Sequence, residues 1–148
     1  MDGKKVKLTG NQLIQMANQE KQKLAQINDQ VKRFQEFKTE LLAAKDALTE
    51  IGKAKKGEKI LINLGAGIYM SAAIDETSKA ISSLSGNIFK TKDSKELIKI
   101  IDNKIENMNK TIGKIAEDQQ KAITRVNQLE QVLAAGRQHM QKQNASQN

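Results

Sequence analysis

Apolar residues recur along most of this chain with the spacing of a helix that buries a narrow seam. The pattern is clearest in the last third. Ile98, Ile101, Ile105, Met108, Ile112, Ile115, Gln119, Ala122, Val126, Leu129 and Leu133 are separated by alternating steps of three and four residues. A strict 3.5-residue repeat drifts around an ideal helix, so a helix that keeps it must supercoil about a partner. Asp93, with Glu96 three residues later, marks the start as a capping-box-like pair. The first third carries a second seam: Leu13, Ala17, Glu20, Leu24, Ile27, Val31 and Phe34. There the apolar pattern shifts to Phe37, Leu41, Ala44, Leu48 and Ile51, which predicts a local stammer after Phe34. Thr9, Asn11 or Gln12 can start this helix, and Gly52 is expected to end it as an αL cap.

Between the two seams the period changes from 3.5 to 2. Ile60, Ile62 and Leu64 alternate with other residues, as do Ile68, Met70, Ala72 and Ile74. Gly65 and Gly67 supply the freedom that a tight hairpin turn needs. A second turn, "DETSK", leads to a weaker strand pair with Ile81, Leu84 and Ile88, turning at Gly86-Asn87. The expected fold is therefore mainly α with a small β insert. It is a long antiparallel coiled-coil hairpin with two β-hairpins between its helices. The expected boundaries are helix 9–52, β-hairpins 58–92, helix 93–138 and a polar tail 139–148 whose end is disordered, all within one domain. Each arm would span roughly 65 Å at ~1.5 Å per residue. Two hairpins this small do not hold together alone in water, and their open edges invite partner strands.

Composition agrees with seams rather than a bulky core. Aromatic residues make up 3% of the 148, with no Trp, and no Pro interrupts a helix. With no Cys and a single histidine, His139, neither a disulfide framework nor a usual zinc site can be built. The absence of Cys fits a reducing compartment, and no apolar run is long enough for a membrane span or a secretory signal. A cytoplasmic location is expected. The net charge of +8 is concentrated at the two ends and in the 52–59 linker, while the arms are close to neutral. Gly65-Ala66-Gly67 lacks the third glycine and the following helix of a dinucleotide fingerprint, and no phosphate-binding loop motif occurs. Glu117-Asp118 and similar carboxylate pairs fall on outward helix positions. No enzyme and no cofactor is indicated.

The stretch "ILINLGAGIYMSAAID", its echo "ISSLSGNIFKT" and the following "DSKELIKII" resemble the prefoldin family, alpha class, of the archaeal type. The resemblance covers nearly the whole chain. It departs from the family at Ser85-Gly86-Asn87, where a Gly-Ala-Gly-like turn is usual, and in its positive charge, since archaeal members of this class are commonly acidic. The resemblance implies an ATP-independent chaperone. Two alpha and four beta subunits would join through their β-hairpins, capture non-native proteins at the coiled-coil tips and deliver them to a group II chaperonin.

On that reading the assembly residues are Ile60, Ile62, Leu64, Gly65, Gly67, Ile68, Met70, Ala72, Ile74, Ile81, Leu84 and Ile88. The client-binding residues at the tips are Leu8, Leu13, Ile14, Met16, Leu133, Ala134, Ala135 and Met140. Of these, Leu13 and Leu133 fit a seam-closing role, whereas Ile14, Met16 and Met140 fit a contact role, because flexible exposed apolar groups suit weak binding to many chains. The basic ends also allow a different reading, a nucleic-acid-binding coiled coil, although no aromatic stacking platform accompanies the lysines. A purely structural scaffold is a third.

Overall fold

The computed structural model describes residues 8–145. The element order is α1 (Gly10–Lys53), β1 (Lys59–Gly65), β2 (Ile68–Ala73), β3 (Lys79–Ser85), β4 (Ile88–Asp93) and α2 (Ser94–Ala145). Two long helices pack antiparallel with two β-hairpins between them in sequence. The described chain falls into two compact units, one of residues up to 34 together with those from 111, the other of residues 35–110.

The first unit is helical. Ala17, Ala122 and Val126 are buried, and Leu13, Leu24, Ile27, Val31, Phe34, Ile112, Ile115, Leu129 and Leu133 are half-buried. Polar pairs cross between the helices with a falling register, as antiparallel packing requires. Lys21 Nζ lies 2.6 Å from Glu130 Oε1, Arg125 Nη1 3.6 Å from Glu20 Oε1, and Gln119 Nε2 donates to Asn28 Oδ1 at 2.6 Å. The two polar entries of the seams, Glu20 and Gln119, are thus each matched across the helix pair. Polar groups at seam positions fix register at some cost in stability, and the cost is visible at Glu20, whose Oε2 is buried without a hydrogen-bond partner among the described residues. Thr9 and Gln12 form a reciprocal cap at the start of α1. Thr9 N–H donates to Gln12 Oε1 at 2.9 Å, and Gln12 N–H donates to Thr9 Oγ1 at 3.3 Å. At the other terminus α2 runs to Ala145, so residues 139–145 of the expected polar tail are helical; residues 146–148 lie outside the described residues.

In the second unit the seam corrects the expected stammer. Lys38, Leu41, Lys45, Leu48 and Ile51 are the less exposed positions, whereas Phe37 is 47% exposed and Ala44 is also exposed. The 3-4 spacing therefore continues unbroken from Phe34 through Lys38. Two lysines occupy seam positions by laying their methylene stems along it and carrying the ammonium group outward. Lys45 Nζ ends 2.5 Å from Asp102 Oδ1 on α2. A second correction concerns the end of α1. Gly52 has no positive φ and lies inside the helix; the left-handed residue is Gly57, with φ 85°. It sits in a turn closed by Glu58 N–H donating to the Lys55 carbonyl at 3.0 Å. The helix ends without the glycine because Ala54 N–H reaches the Ile51 carbonyl at 3.1 Å and tightens the last turn. Asp93 caps α2 as expected, its Oδ1 accepting from the amides of Lys95 at 2.8 Å and Glu96 at 3.3 Å.

The strands form two separate two-stranded antiparallel sheets, β1-β2 and β3-β4. In the first, Ile60 faces Ala72, Ile62 faces Met70 and Asn63 faces Tyr69; the register then shifts so that Gly65 faces Ile68 and Leu64 is left over. In the second, Ala80 faces Lys92, Ser82 faces Lys90, Ser83 faces Phe89 and Ser85 faces Ile88, with Leu84 left over in the same way. The two hairpins are one design repeated after 20 residues, down to the position of the bulge. They differ at the turn. Ala66 and Gly67 both have positive φ (51° and 77°), the requirement of a type I′ turn, whereas only Gly86 is positive in the second, the pattern of type II′.

Candidate assembly and client-binding surfaces

The alternating strand pattern exposes apolar side chains on both faces of each hairpin, because among the described residues neither sheet has a second layer. Leu61 and Ile81 are each 72% exposed, and Ile62, Leu64, Ile68, Tyr69, Met70, Leu84, Ile88 and Phe89 are all exposed as well. Nearer the base, Ile60 and Ala72 are half-buried. Ile74 differs from the other expected assembly residues. It is buried within its own unit, its N–H donating to the Glu58 carbonyl at 2.9 Å and its carbonyl accepting from Gly57 at 2.6 Å, so it anchors the first hairpin to the chain leading into it. Gly65 and Gly67 take positive φ at the turn, and Gly65 N–H is held by Asn63 Oδ1 at 2.8 Å.

Sequence reasoning missed Leu61, Tyr69 and Phe89. Leu61 and Tyr69 fall on the face opposite the alternating apolar set of the first hairpin, where a half-covered sheet would carry polar residues, and Phe89 shares a face with Ile81 in the second. The missed signal is that apolar residues occupy both parities of β1 and the turn-proximal part of β2. An apolar run on both faces means a strand intended to be covered on both sides.

The connection between the hairpins is polar. Glu76 Oε1 accepts from both the Ser78 hydroxyl (2.6 Å) and the Ser78 amide (2.9 Å). These two hydrogen bonds, and then the nearby Lys79, hold the Glu76 carboxyl below the usual carboxylate range. Glu106 is lowered for a related reason, its contact with Lys110 Nζ at 2.7 Å.

In the first unit, Leu13 and Leu133 are half-buried, at seam positions. Leu8, Ile14, Met16 and Met140 are exposed, as are Ala134 and Ala135. A shallow groove brings Ile14, Ala17, Leu133 and Ala134 together, with Arg137 beside them. On the other side of the helix pair, Met16 shares a depression with Leu129 and Val132. Val132 is 52% exposed and joins the candidate residues that the seam pattern alone did not single out. Lys4, Lys5 and Lys7, part of the basic N-terminus, lie outside the described residues. His139 is helical, its Nε2 3.2 Å from Gln143 Nε2. Among the described residues no group of three His, Cys, Asp or Glu side chains could hold a metal ion, and no helix is long and apolar enough to cross a membrane.

Comparison with known proteins bears on both surfaces. Residues 20–139 match the family model for prefoldin subunits. Prefoldin subunit alpha of Methanococcus aeolicus is 30% identical over 108 residues, 70% of this chain and 71% of the relative. Prefoldin subunit alpha of Thermofilum pendens is 25% identical over 111 residues, 72% of this chain and 86% of the relative. A chain from the cryo-EM structure of filamentous PFD from Methanocaldococcus jannaschii shares the fold, with a TM-score of 0.63 and 13% identity, covering 80% of this chain and 96% of that one. Two seamed helices flanking a repeated hairpin, matched by family model and by relatives alike, make this chain a member of the prefoldin family, an alpha-class subunit of a non-enzymatic chaperone.

Proposed function

We propose that the two β-hairpins are the joint through which this subunit assembles with beta-class subunits, two alpha with four beta, and that the open end of its helix pair holds non-native proteins. The observation that carries the proposal is the exposure of ten large apolar side chains on two hairpins, residues 59–73 and 79–93. Sheets of two strands are marginal in water, and apolar clusters of this density mark interaction surfaces. Neighbouring strands would satisfy the open edges and cover the faces at once. Release of clients to a group II chaperonin, without nucleotide, belongs to the same reading, as does a cytoplasmic site of action.

At the helical end, Ile14, Met16, Val132 and Met140 are exposed, as is Leu8, while Leu13 and Leu133 sit at the seam. Client contact is assigned to the first group and closure of the helix pair to the second. The measurement is suppression of aggregation of a chemically denatured protein by the assembled complex. Replacing Ile14, Met16 and Met140 together by serine should abolish most of the suppression while leaving the mass of the complex unchanged. Full suppression by that variant would contradict the assignment.

A further inference from the structure

Superposing the hairpin repeat in register separates its two faces by chemistry. On one face the counterparts match in kind: Leu61 with Ile81, Asn63 with Ser83, Tyr69 with Phe89, Ser71 with Thr91. On the other face only Ile68 and Ile88 beside the turn match, and the rest diverge: Ile60 against Ala80, Ile62 against Ser82, Met70 against Lys90, Ala72 against Lys92. The first hairpin is thus apolar along a face where the second, below Ile88, is polar and cationic. Lys92 is accounted for locally; its side chain is largely covered and its Nζ lies 3.8 Å from Glu96. Lys90 is exposed and has no ion pair among the described residues. It stands on β4, whose outer edge has no strand beside it among the described residues.

We propose that the β4 edge, through Lys90, selects against a second copy of this chain and accepts a carboxylate-bearing β-strand from a different polypeptide. The inference rests on the assembly reading above and adds to it a residue that decides the partner. Opposed residues of an antiparallel pair share a face. When two β4 edges meet with Thr91 opposite Thr91, Lys90 of each faces Lys92 of the other, and like charges opposed in this way are destabilising. Sliding one strand by a residue relieves that contact but brings the lysines onto the face that carries Phe89. A strand with Asp or Glu opposite Lys90 meets neither penalty, and it gives the lysine a partner it otherwise lacks. Lysine on an edge strand is also a known barrier to self-pairing. Met70, its counterpart in the first hairpin, places no such condition on a partner.

The chain has no cysteine, so a single Thr91→Cys reports contact between β4 edges as a disulfide. The experiment compares the T91C chain alone, the same chain mixed with a size-tagged T91C/K90E chain, and the same chain mixed with a T91C/K90Q chain. Each is oxidised at low and at high salt. The expected result is a cross-linked yield about fivefold higher in the K90E mixture than in the T91C chain alone. The K90Q mixture should fall between them, and the difference should shrink at high salt as screening shortens the range of the charges. Equal yields in all three samples, or a K90Q mixture equal to K90E, would overturn the proposal. Solution mass of the unsubstituted chain with a beta-class subunit is measured alongside. A complex that forms while cross-linking ignores the charge at position 90 defeats this inference alone; no complex at all defeats the assembly reading beneath it.

Discussion

The helices and the hairpins of this subunit use the same few residue types to opposite ends. Along α1 and α2, isoleucine, leucine and valine fall every 3.5 residues and close on a seam within the chain. Along β1 to β4 isoleucine and leucine fall on both parities, and most of them stay exposed. Val126 is 7% exposed and Leu61 is 72% exposed. The difference lies in the spacing rather than in the composition: a helix pair can cover one stripe by itself, but a two-stranded sheet covers neither face. The helices are therefore the part of the molecule that needs no neighbour, and the hairpins are the part that does.

The sharpest way to break that contrast is to put a charge on the first hairpin. Ile62→Lys should abolish assembly with beta-class subunits while the helical circular dichroism of the chain stays unchanged, because Ile62 is an exposed residue of β1, outside both helices. Val126→Ala should do the reverse. It removes a buried side chain from the seam and should destabilise the helix pair by about 1–3 kcal/mol, read by thermal or denaturant unfolding, with the partners of the hairpins unaltered. Gly113 lies inside α2, and a Cβ there would meet nothing within 4 Å. Gly113→Ala should therefore stabilise by about 1 kcal/mol. Lys45→Met should change stability by less than about 1 kcal/mol, since the Lys45–Asp102 pair is partly exposed and a methionine keeps the apolar stem in the seam.

The smallest effect is one of pH. Glu76 is held below its ordinary carboxylate range in the folded chain. Its contribution is present above the unfolded carboxylate pKa and is lost as pH falls through the depressed folded value. Acidification should loosen the Asp75–Ser78 connection before the helices respond. Amide exchange at Ser78, whose N–H is bound to Glu76, checks this directly.

What could be read from the letters follows the same contrast. The α2 seam was legible because nearly every seam position is apolar, and the single polar one, Gln119, interrupts nothing. The α1 seam was misread at Phe34 because Lys38 and Lys45 hold seam positions while Phe37 and Ala44 do not. A pattern that scores lysine only as polar cannot see a buried stem. Gly52 looked like a helix stop because glycine is the usual αL residue, yet the chain spends its left-handed conformation five residues later at Gly57. Both hairpins and both turns were placed correctly from the period-2 alternation and from Gly65, Gly67 and Gly86. Their second apolar side was not, because alternation marks one face and is silent about a strand covered on both. The polar letters of residues 139–145 suggested a tail, but polarity does not prevent a helix from continuing where no proline or capping glycine intervenes.

The central claim is that the hairpins are unfinished without neighbours. It is tested most directly by the solution mass of the chain mixed with a beta-class prefoldin subunit, before and after removal of residues 58–92. The intact chain should enter a hexamer-sized complex and the shortened one should stay out of it with its helices retained. Entry of the shortened chain into the same complex would contradict the account.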